Sequence, residues 1–130
     1  MPRSQTSGRE LAILFEALYL ANLLIAPVMA FLILLVLYFQ NKNHSSPLAR
    51  SHLSQTFYTS LLGGFLVFLV VGVLFLFGGF DSPYIWMWVV LYFTIIHSTL
   101  VLFGALGLAK AMSNQCWRYP IIGAKLPKGC

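Results

Sequence analysis

Three long apolar runs alternate along the chain with short polar segments. Each run is long enough for the roughly 20 helical residues that cross a bilayer core of about 30 Å. The pattern predicts an all-α, integral membrane three-helix bundle in a single domain, with spans at about residues 18–39, 56–78 and 84–110. The polar segments predict a loop over residues 40–55 and a tail over residues 111–130.

The first apolar run contains two polar residues and a proline. Glu16 precedes the predicted span, so we expect its carboxylate to stay in water at the membrane interface; contact with a partner is the alternative. With Asn22, it gives the helix a polar stripe. Pro27 removes one backbone hydrogen bond and predicts a kink in a continuous helix. A cleaved signal peptide is disfavoured, because the apolar run continues beyond the small residue Ala30.

The basic residues predict the orientation of the bundle. Three alternating spans put the N-terminus and the turn at residues 78–83 on one face, and the loop and tail on the other. The first face carries Arg3 and Arg9, and the second carries the other six of the eight basic residues. Cytoplasmic segments are enriched in Lys and Arg, so the orientation is predicted as N-out, C-in. The six residues are Lys42, Arg50, Lys110, Arg118, Lys125 and Lys128.

Composition excludes a soluble catalytic domain. The chain is 59% hydrophobic and 8% charged, against about 45–50% and about 25% in soluble domains. Its net charge of +5 does not indicate nucleic-acid binding, because the basic residues form no clustered face. Glu10, Glu16 and Asp81 are predicted near the outer face, away from the cytoplasmic histidines, so no acid–base pair is expected. We therefore predict a non-catalytic protein with no bound cofactor.

Candidate ligand residues are few. His97 lies deep in the third span, either as a neutral side chain bonded to a hydroxyl such as Thr94, or as a haem, metal, proton or quinone ligand completed by a partner. His44 and His52 are eight residues apart in the loop, without the ligand spacing of a metal site. Cys116 and Cys130 have neither metal-ligand spacing nor a disulfide framework, and are predicted to be free thiols.

Small residues mark the predicted packing faces of the second and third helices. Lipid gives no hydrophobic drive for helix association, so small side chains that allow close backbone approach become informative. These faces pack either against the other helices of the chain or against a larger membrane complex. They contain Thr56, Ser60, Gly64, Thr94, Ser98, Gly104 and Gly107.

Two segments together resemble a family of small bacterial membrane proteins, domain of unknown function 4870, which is distantly related to the Tic-twenty component of chloroplast import. The first is Pro47-Leu-Ala-Arg50-Ser-His52-Leu-Ser-Gln55. The second is Ala109-Lys-Ala followed by Trp117-Arg-Tyr-Pro. Where the family has a glycine after the last helix, this chain has Asn114, which tolerates the same left-handed turn. The resemblance implies a membrane fold and, by analogy, a subunit of a protein-conducting assembly.

The two segments form a predicted cytoplasmic rim that contacts anionic phospholipid head groups or a protein partner. Its loop residues could also bond the tail. We predict an accessory or assembly subunit of a larger membrane complex in the bacterial inner membrane, with a channel or translocation component as the alternative. The rim residues are Arg50, His52, Gln55, Lys110, Trp117, Arg118, Tyr119 and Pro120.

Overall fold

The computed structural model describes the backbone of residues 2–79 and 81–130, and the side chains of residues 8–79 and 81–130. Within these ranges there are four helices and no strand. They are α1 (Pro2–Leu24), α2 (Pro27–Asn41), α3 (Pro47–Gly78) and α4 (Pro83–Met112). The all-α class predicted from the sequence is confirmed, but the first predicted helix is divided into two helices.

A tight turn replaces the kink expected at Pro27. The amides of Ile25 and Ala26 both donate to the Ala21 carbonyl. Ala26 leaves the helical region (φ −135°, ψ 78°), as the residue before a proline tends to do. Pro27 then starts α2, where its missing N–H leaves no helical bond unmade. The single helix predicted over residues 18–39 is therefore two helices.

The turn folds α1 and α2 into an antiparallel hairpin. Phe15 of α1 and Leu34 of α2 are both fully buried in one apolar cluster, against Ala49 and Leu53 of α3. Leu11 packs on the same cluster one turn towards the N-terminus. Because Leu11, well before the turn, and Leu37, well after it, pack on the same cluster, the chain reverses its direction between them.

α3 begins much earlier than the predicted second span. The Ser46 hydroxyl caps its N-terminus by accepting a hydrogen bond from the Ala49 amide, and Pro47 occupies the first turn. Residues 47–55 are helical rather than loop, so the polar connection to α2 shrinks to residues 42–46.

α4 is a single 30-residue helix with one widened turn. A π-helical turn at Phe93–His97 separates the α-helical parts Pro83–Tyr92 and Ser98–Met112. The helix runs antiparallel to α3 after the Gly79 turn, and Ile85 packs against Gly78. After Met112, Asn114 adopts the left-handed conformation (φ 58°), as expected for it from the sequence.

The first half of α1 and the end of α4 lie at one end of the molecule. The Arg9 Nε atom of α1 donates to the Met112 carbonyl at the end of α4, over 2.9 Å. Gly8 lies against the Ser46 side chain at the start of α3. The prediction that the N-terminus and the tail lie on opposite faces is therefore wrong for this fold, because the α1–α2 hairpin adds a reversal of direction.

In the part of the chain that the structure describes, two helices are long and apolar enough to cross a membrane, namely α3 and α4. Their mean hydropathies over the best windows are 2.7 and 2.1, and almost none of those residues is buried inside the protein. α2 is also apolar but has only 15 residues, which is about 22 Å of helix. The two apolar helices support the predicted membrane character of the chain, with two long helices and one hairpin in place of the three predicted spans.

Candidate functional site

A buried carboxylate–imidazole pair joins α1 to α3. Glu16 and His52 are both fully buried, with 2.7 Å between Glu16 Oε1 and His52 Nδ1. The other ring nitrogen, Nε2, lies 2.9 Å from the Gln115 carbonyl in the tail. A carbonyl only accepts, so Nε2 carries a hydrogen. The remaining proton lies between Nδ1 and Oε1, and the pair is neutral overall whichever atom holds it.

Tyr119 of the tail completes this cluster. Its hydroxyl donates to Glu16 Oε2, and its ring packs edge-on against Tyr19 of α1, with 5.7 Å between the ring centroids. Burial, followed by the nearby Glu16 carboxylate, raises the pKa of the Tyr119 phenol. The phenol therefore remains a hydrogen-bond donor. Glu16, His52 and Tyr119 connect two helices and the tail through one buried carboxylate.

Gln55 clamps the tail backbone from the next turn of α3. Its Nε2 donates to the Ala124 carbonyl over 2.7 Å, and its Oε1 accepts from the Tyr119 amide over 3.1 Å. Both ends of the amide are satisfied. Gly123 lies where a side chain would collide with Gln55 Oε1, at 2.6 Å from an added Cβ. The tail is thus a folded segment held by α3.

Two glycines of α4 allow α1 to approach closely. An added Cβ on Gly107 would lie 2.5 Å from Glu16 Oε1, and one on Gly104 would lie 2.6 Å from the Tyr19 ring. The Tyr19 hydroxyl also donates to the Leu100 carbonyl over 2.9 Å. These two members of the small-residue face predicted from the sequence face helix α1, and they make room for the buried cluster.

The basic residues of the predicted rim form hydrogen bonds with the tail of the chain. Arg118 Nε donates to the Gly123 carbonyl over 3.0 Å, and Lys110 Nζ donates to Gln115 Oε1 over 3.1 Å. An Arg50 terminal nitrogen lies 3.4 Å from the Lys128 carbonyl. Trp117 packs beside Tyr119, with 5.4 Å between ring centroids, and Pro120 is exposed. The structure brings all eight rim residues to one end; their contact with lipid or a partner stays a prediction.

Two sequence predictions at this end are wrong. Glu16 was expected in water on the outer face, away from the histidines of the loop; it is buried and bonded to His52. The reason is the α1–α2 hairpin, which brings Glu16 alongside the first turns of α3. Cys116 and Cys130 are not free thiols but form a disulfide, with their Cα atoms 5.8 Å apart, because the tail folds back on itself.

The remaining predicted positions are not gathered here. Thr56 and Ser60 are buried on α3, but Gly64, Thr94 and Ser98 are exposed. His97 is half-buried in the π-helical turn and stacks on Phe93, with 4.5 Å between centroids. It lies far along the molecule from His52, and its predicted roles remain untested.

The sequence contained one signal for the buried cluster that the prediction missed. Ala12, Phe15, Glu16 and Tyr19 follow the spacing of one helix face, and all four are fully buried. A carboxylate on such a face requires a buried partner, since an unpaired charge away from water is very costly. Of the histidines His44, His52 and His97, His52 lies closest in sequence to the start of a predicted apolar span, at about residue 56, which made it the candidate partner.

Among the described residues, no group of three or more His, Cys, Asp or Glu side chains could hold a metal ion. The polar cluster joins helices and tail through satisfied hydrogen bonds. The molecule is thus, by class, a small helical membrane protein whose buried polar residues hold its own fold together.

The particular family is given by residues 8–126, which match the model of the magnetosome magnetite crystal formation proteins, MamF and MmsF. The chain belongs to this family. It is a family of small magnetosome membrane proteins that act in crystal formation, and is not a known enzyme family. No curated protein and no solved structure matches the chain.

The family match corrects the resemblance drawn from the sequence. The chain is not a member of the domain-4870 or Tic-twenty-like group, so the protein-conducting role that this resemblance implied has no support. The segments that suggested it, at residues 47–55 and 117–120, are those that meet around Glu16. Their residue types have an explanation inside this fold. His52 and Gln55 of α3 bond the backbone of the tail, and Tyr119 of the tail bonds Glu16 of α1.

Proposed function

We propose that this protein is a non-catalytic accessory subunit of the magnetosome membrane that assembles with a larger membrane complex during magnetite crystal formation. The observation that carries the proposal is the family match over residues 8–126. The fold supports it, because the buried ionisable groups Glu16 and His52 are used up in holding helices and tail together.

The distribution of charge supports one orientation in the membrane. All eight Lys and Arg residues belong to the end that contains the start of α1, the α2–α3 connection, the first turns of α3 and the tail. The turn between α3 and α4 contributes a single acidic residue, Asp81. By the positive-inside rule, we propose that the basic end is cytoplasmic and that the Asp81 turn lies on the opposite side.

Helix lengths support two complete crossings and one re-entrant hairpin. α3 has 32 residues and α4 has 30, or about 45 Å or more of helix each, enough for the hydrocarbon core and one interfacial region. Pro27 and Val28, directly after the hairpin turn, line one groove together with Phe65 from the middle of α3. We propose that α1 and α2 dip into the cytoplasmic leaflet and return, so that both chain ends lie in the cytoplasm.

Accessibility of single cysteines tests this orientation. In a background with Cys116→Ser and Cys130→Ser, we expect Glu10→Cys and Lys42→Cys to react with an impermeant maleimide only from the cytoplasmic side. Asp81→Cys should react only from the other side. Labelling of Glu10→Cys from the side that labels Asp81→Cys would restore the three-span arrangement and overturn the proposed hairpin.

Deletion and complementation test the role itself. We expect a strain without this protein to retain membrane compartments while the size or number of its magnetite crystals changes, and the wild-type gene to restore both. Electron microscopy measures both quantities. Crystals unchanged in size and number after deletion would contradict the proposed function.

The exposed small residues supply a candidate surface for the partner complex. Thr94 and Ser98 lie one turn apart on the exposed side of α4, where a partner helix could approach closely. We expect Ser98→Leu to reduce the size of the complex extracted in mild detergent. Leu102→Ile, on an exposed position further along the same helix, is the matched control. Exposed Lys42 and Lys125 are proposed to contact anionic phospholipid head groups.

A further inference from the structure

A groove of about 640 Å³ lies below the α1–α2 turn, separate from the polar cluster at the basic end. Its walls are the hairpin tip at Pro27 and Val28, the segment of α3 from Thr59 to Phe68, and the π-helical turn of α4. The volume falls within the range of roughly 300–1,000 Å³ for small-molecule sites. Most of its lining is carbon, with a few polar atoms.

Two hydroxyls in this groove have no hydrogen-bond partner. Thr59 is 1% exposed and Ser60 is 7% exposed, and neither Oγ is bonded. Thr56 and Thr99 in the same helices donate to their own backbone, at the His52 and Ile95 carbonyls. Ser51 of α3 is also buried without a partner, but it lies outside the groove. A buried hydroxyl without a partner destabilises a fold, because it has lost its hydrogen bonds to water and gained none in return. Thr59 and Ser60 therefore call for an acceptor from outside the chain.

The depth of these hydroxyls indicates what that acceptor is. The Tyr38 and Tyr58 hydroxyls lie 3.1 Å apart on the exposed surface, and tyrosines of this kind mark the head-group level of a bilayer. Thr59 and Ser60 follow Tyr58 directly, so they lie about 1.5–3 Å further along the helix axis. The groove then continues to Phe68, about 14 Å beyond Thr59. It runs from the ester level into the hydrocarbon.

The groove also opens sideways to the lipid. Its edges include Val28, Phe65, Phe68 and Phe93, which are all more than half exposed on the molecular surface. The adjoining π-helical turn widens α4 at this level, and such turns occur frequently at functional sites. A molecule from the cytoplasmic leaflet can therefore enter from the side without passing through the protein.

We propose that this groove binds one phospholipid of the cytoplasmic leaflet, with an acyl chain along the groove and its ester carbonyl accepting hydrogen bonds from Thr59 and Ser60. An ester carbonyl accepts and cannot donate, which matches two hydroxyl donors. The α1–α2 hairpin is too short to cross the membrane, and the bound acyl chain fills the space beside the hairpin turn. The inference does not depend on the role in crystal formation.

The groove can be plugged with a matched control. Gly64 lines it, and an added Cβ there meets nothing within 4 Å. Gly72 lies two turns further along α3, outside the groove, and an added Cβ also meets nothing. Gly64→Leu should therefore fill the groove, whereas Gly72→Leu makes the same change to the helix elsewhere.

Native mass spectrometry of protein in mild non-ionic detergent with added dioleoylphosphatidylglycerol gives the readout. We expect one retained phospholipid on the wild type and on Gly72→Leu, and its loss from Gly64→Leu. Thr59→Val with Ser60→Ala, which keeps the shape of the site, should lower retention several-fold.

Three results would overturn the proposal. They are a wild-type protein that retains no phospholipid, equal retention by Gly64→Leu and Gly72→Leu, and a retained molecule that proves to be an isoprenoid quinone. A dimer that forms through this face and is lost in Gly64→Leu would likewise assign the groove to a second copy. Unchanged phospholipid retention in the variant with Thr59→Val and Ser60→Ala would show that these two hydroxyls do not bind the ester carbonyl.

Discussion

Glu16 and His52 lie 36 positions apart in sequence, yet their side chains are 2.7 Å apart and fully buried where α1 meets α3. The pair holds one proton between its two facing atoms, and each partner has a further bond to the tail, through Tyr119 and Gln115. Three segments of the chain, α1, α3 and the tail, are therefore coupled through two side chains.

Removing one member of the pair should destabilise the fold strongly. Glu16→Leu or His52→Leu leaves the other polar group buried without its partner, which costs about 3–5 kcal/mol in soluble proteins. We expect the double substitution to cost less than the sum of the two, measured as the free energy of unfolding in detergent. Glu10→Gln, at an exposed position of α1, should change stability by less than about 0.5 kcal/mol. Additive single effects would contradict the coupling.

Tyr119→Phe should loosen the tail while keeping its ring contacts. The variant loses only the bond to Glu16, and an unsatisfied buried acceptor costs about 1–3 kcal/mol. We expect faster tryptic cleavage after Lys125 in the tail, with helix content unchanged. Tyr84→Phe, at a residue that is 73% exposed at the other end of the molecule, is the control and should leave the cleavage rate at the wild-type value.

Gly107→Ala should be more harmful than Gly72→Ala. The added methyl at position 107 meets the Glu16 carboxylate at 2.5 Å, while at position 72 it meets nothing within 4 Å. Overpacking of this kind costs about 1–3 kcal/mol, whereas the helix preference for alanine over glycine favours the second variant by up to about 1 kcal/mol. The midpoint of thermal unfolding in detergent should fall below the wild-type value for Gly107→Ala and rise above it for Gly72→Ala. The reverse order would rule out the close approach of α1 to Gly107.

Reduction of the Cys116–Cys130 disulfide should free the end of the tail. The bond closes a loop across 14 positions, and a loop of about 15 residues is worth about 3 kcal/mol in the chain-entropy model. We expect a reductant to speed tryptic cleavage after Lys128, and Cys130→Ser to reproduce that rate without reductant. The same reductant should have no effect on Cys130→Ser.

Ile121→Gly should stabilise the tail. Ile121 has a positive φ of 67° and is 99% exposed, so it carries backbone strain of about 1–3 kcal/mol and contributes no burial. Glycine adopts this conformation freely. The neighbouring Ile122→Gly should destabilise, because Ile122 packs on the Tyr119 cluster. The rate of tryptic cleavage in the tail measures the effect of each substitution. Equally faster cleavage in both variants would show that Ile121→Gly releases no backbone strain.

The amino-acid sequence by itself determined the class of this protein. Runs such as residues 57–77 contain too few polar groups for a soluble surface, so helices and lipid follow from hydropathy alone. It also indicated the meeting of residues 47–55 with the tail and the glycines at positions 104 and 107. The apolar runs and the two glycines are local features, because each depends on residue type within one helix. The meeting of residues 47–55 with the tail joins distant segments, and the sequence indicated it only as one alternative beside contact with lipid or a partner.

Only the tertiary structure decided the path of the first helix and the role of its carboxylate. Pro27 permits both a kink and a reversal, since the missing N–H is the same in either case; packing of Phe15 and Leu34 against α3 selects the reversal. That choice moves Glu16 from the far face to His52 and brings the first half of α1 and the end of α4 to one end of the molecule. The disulfide between Cys116 and Cys130 likewise depends on how the tail folds, which spacing in the sequence does not specify.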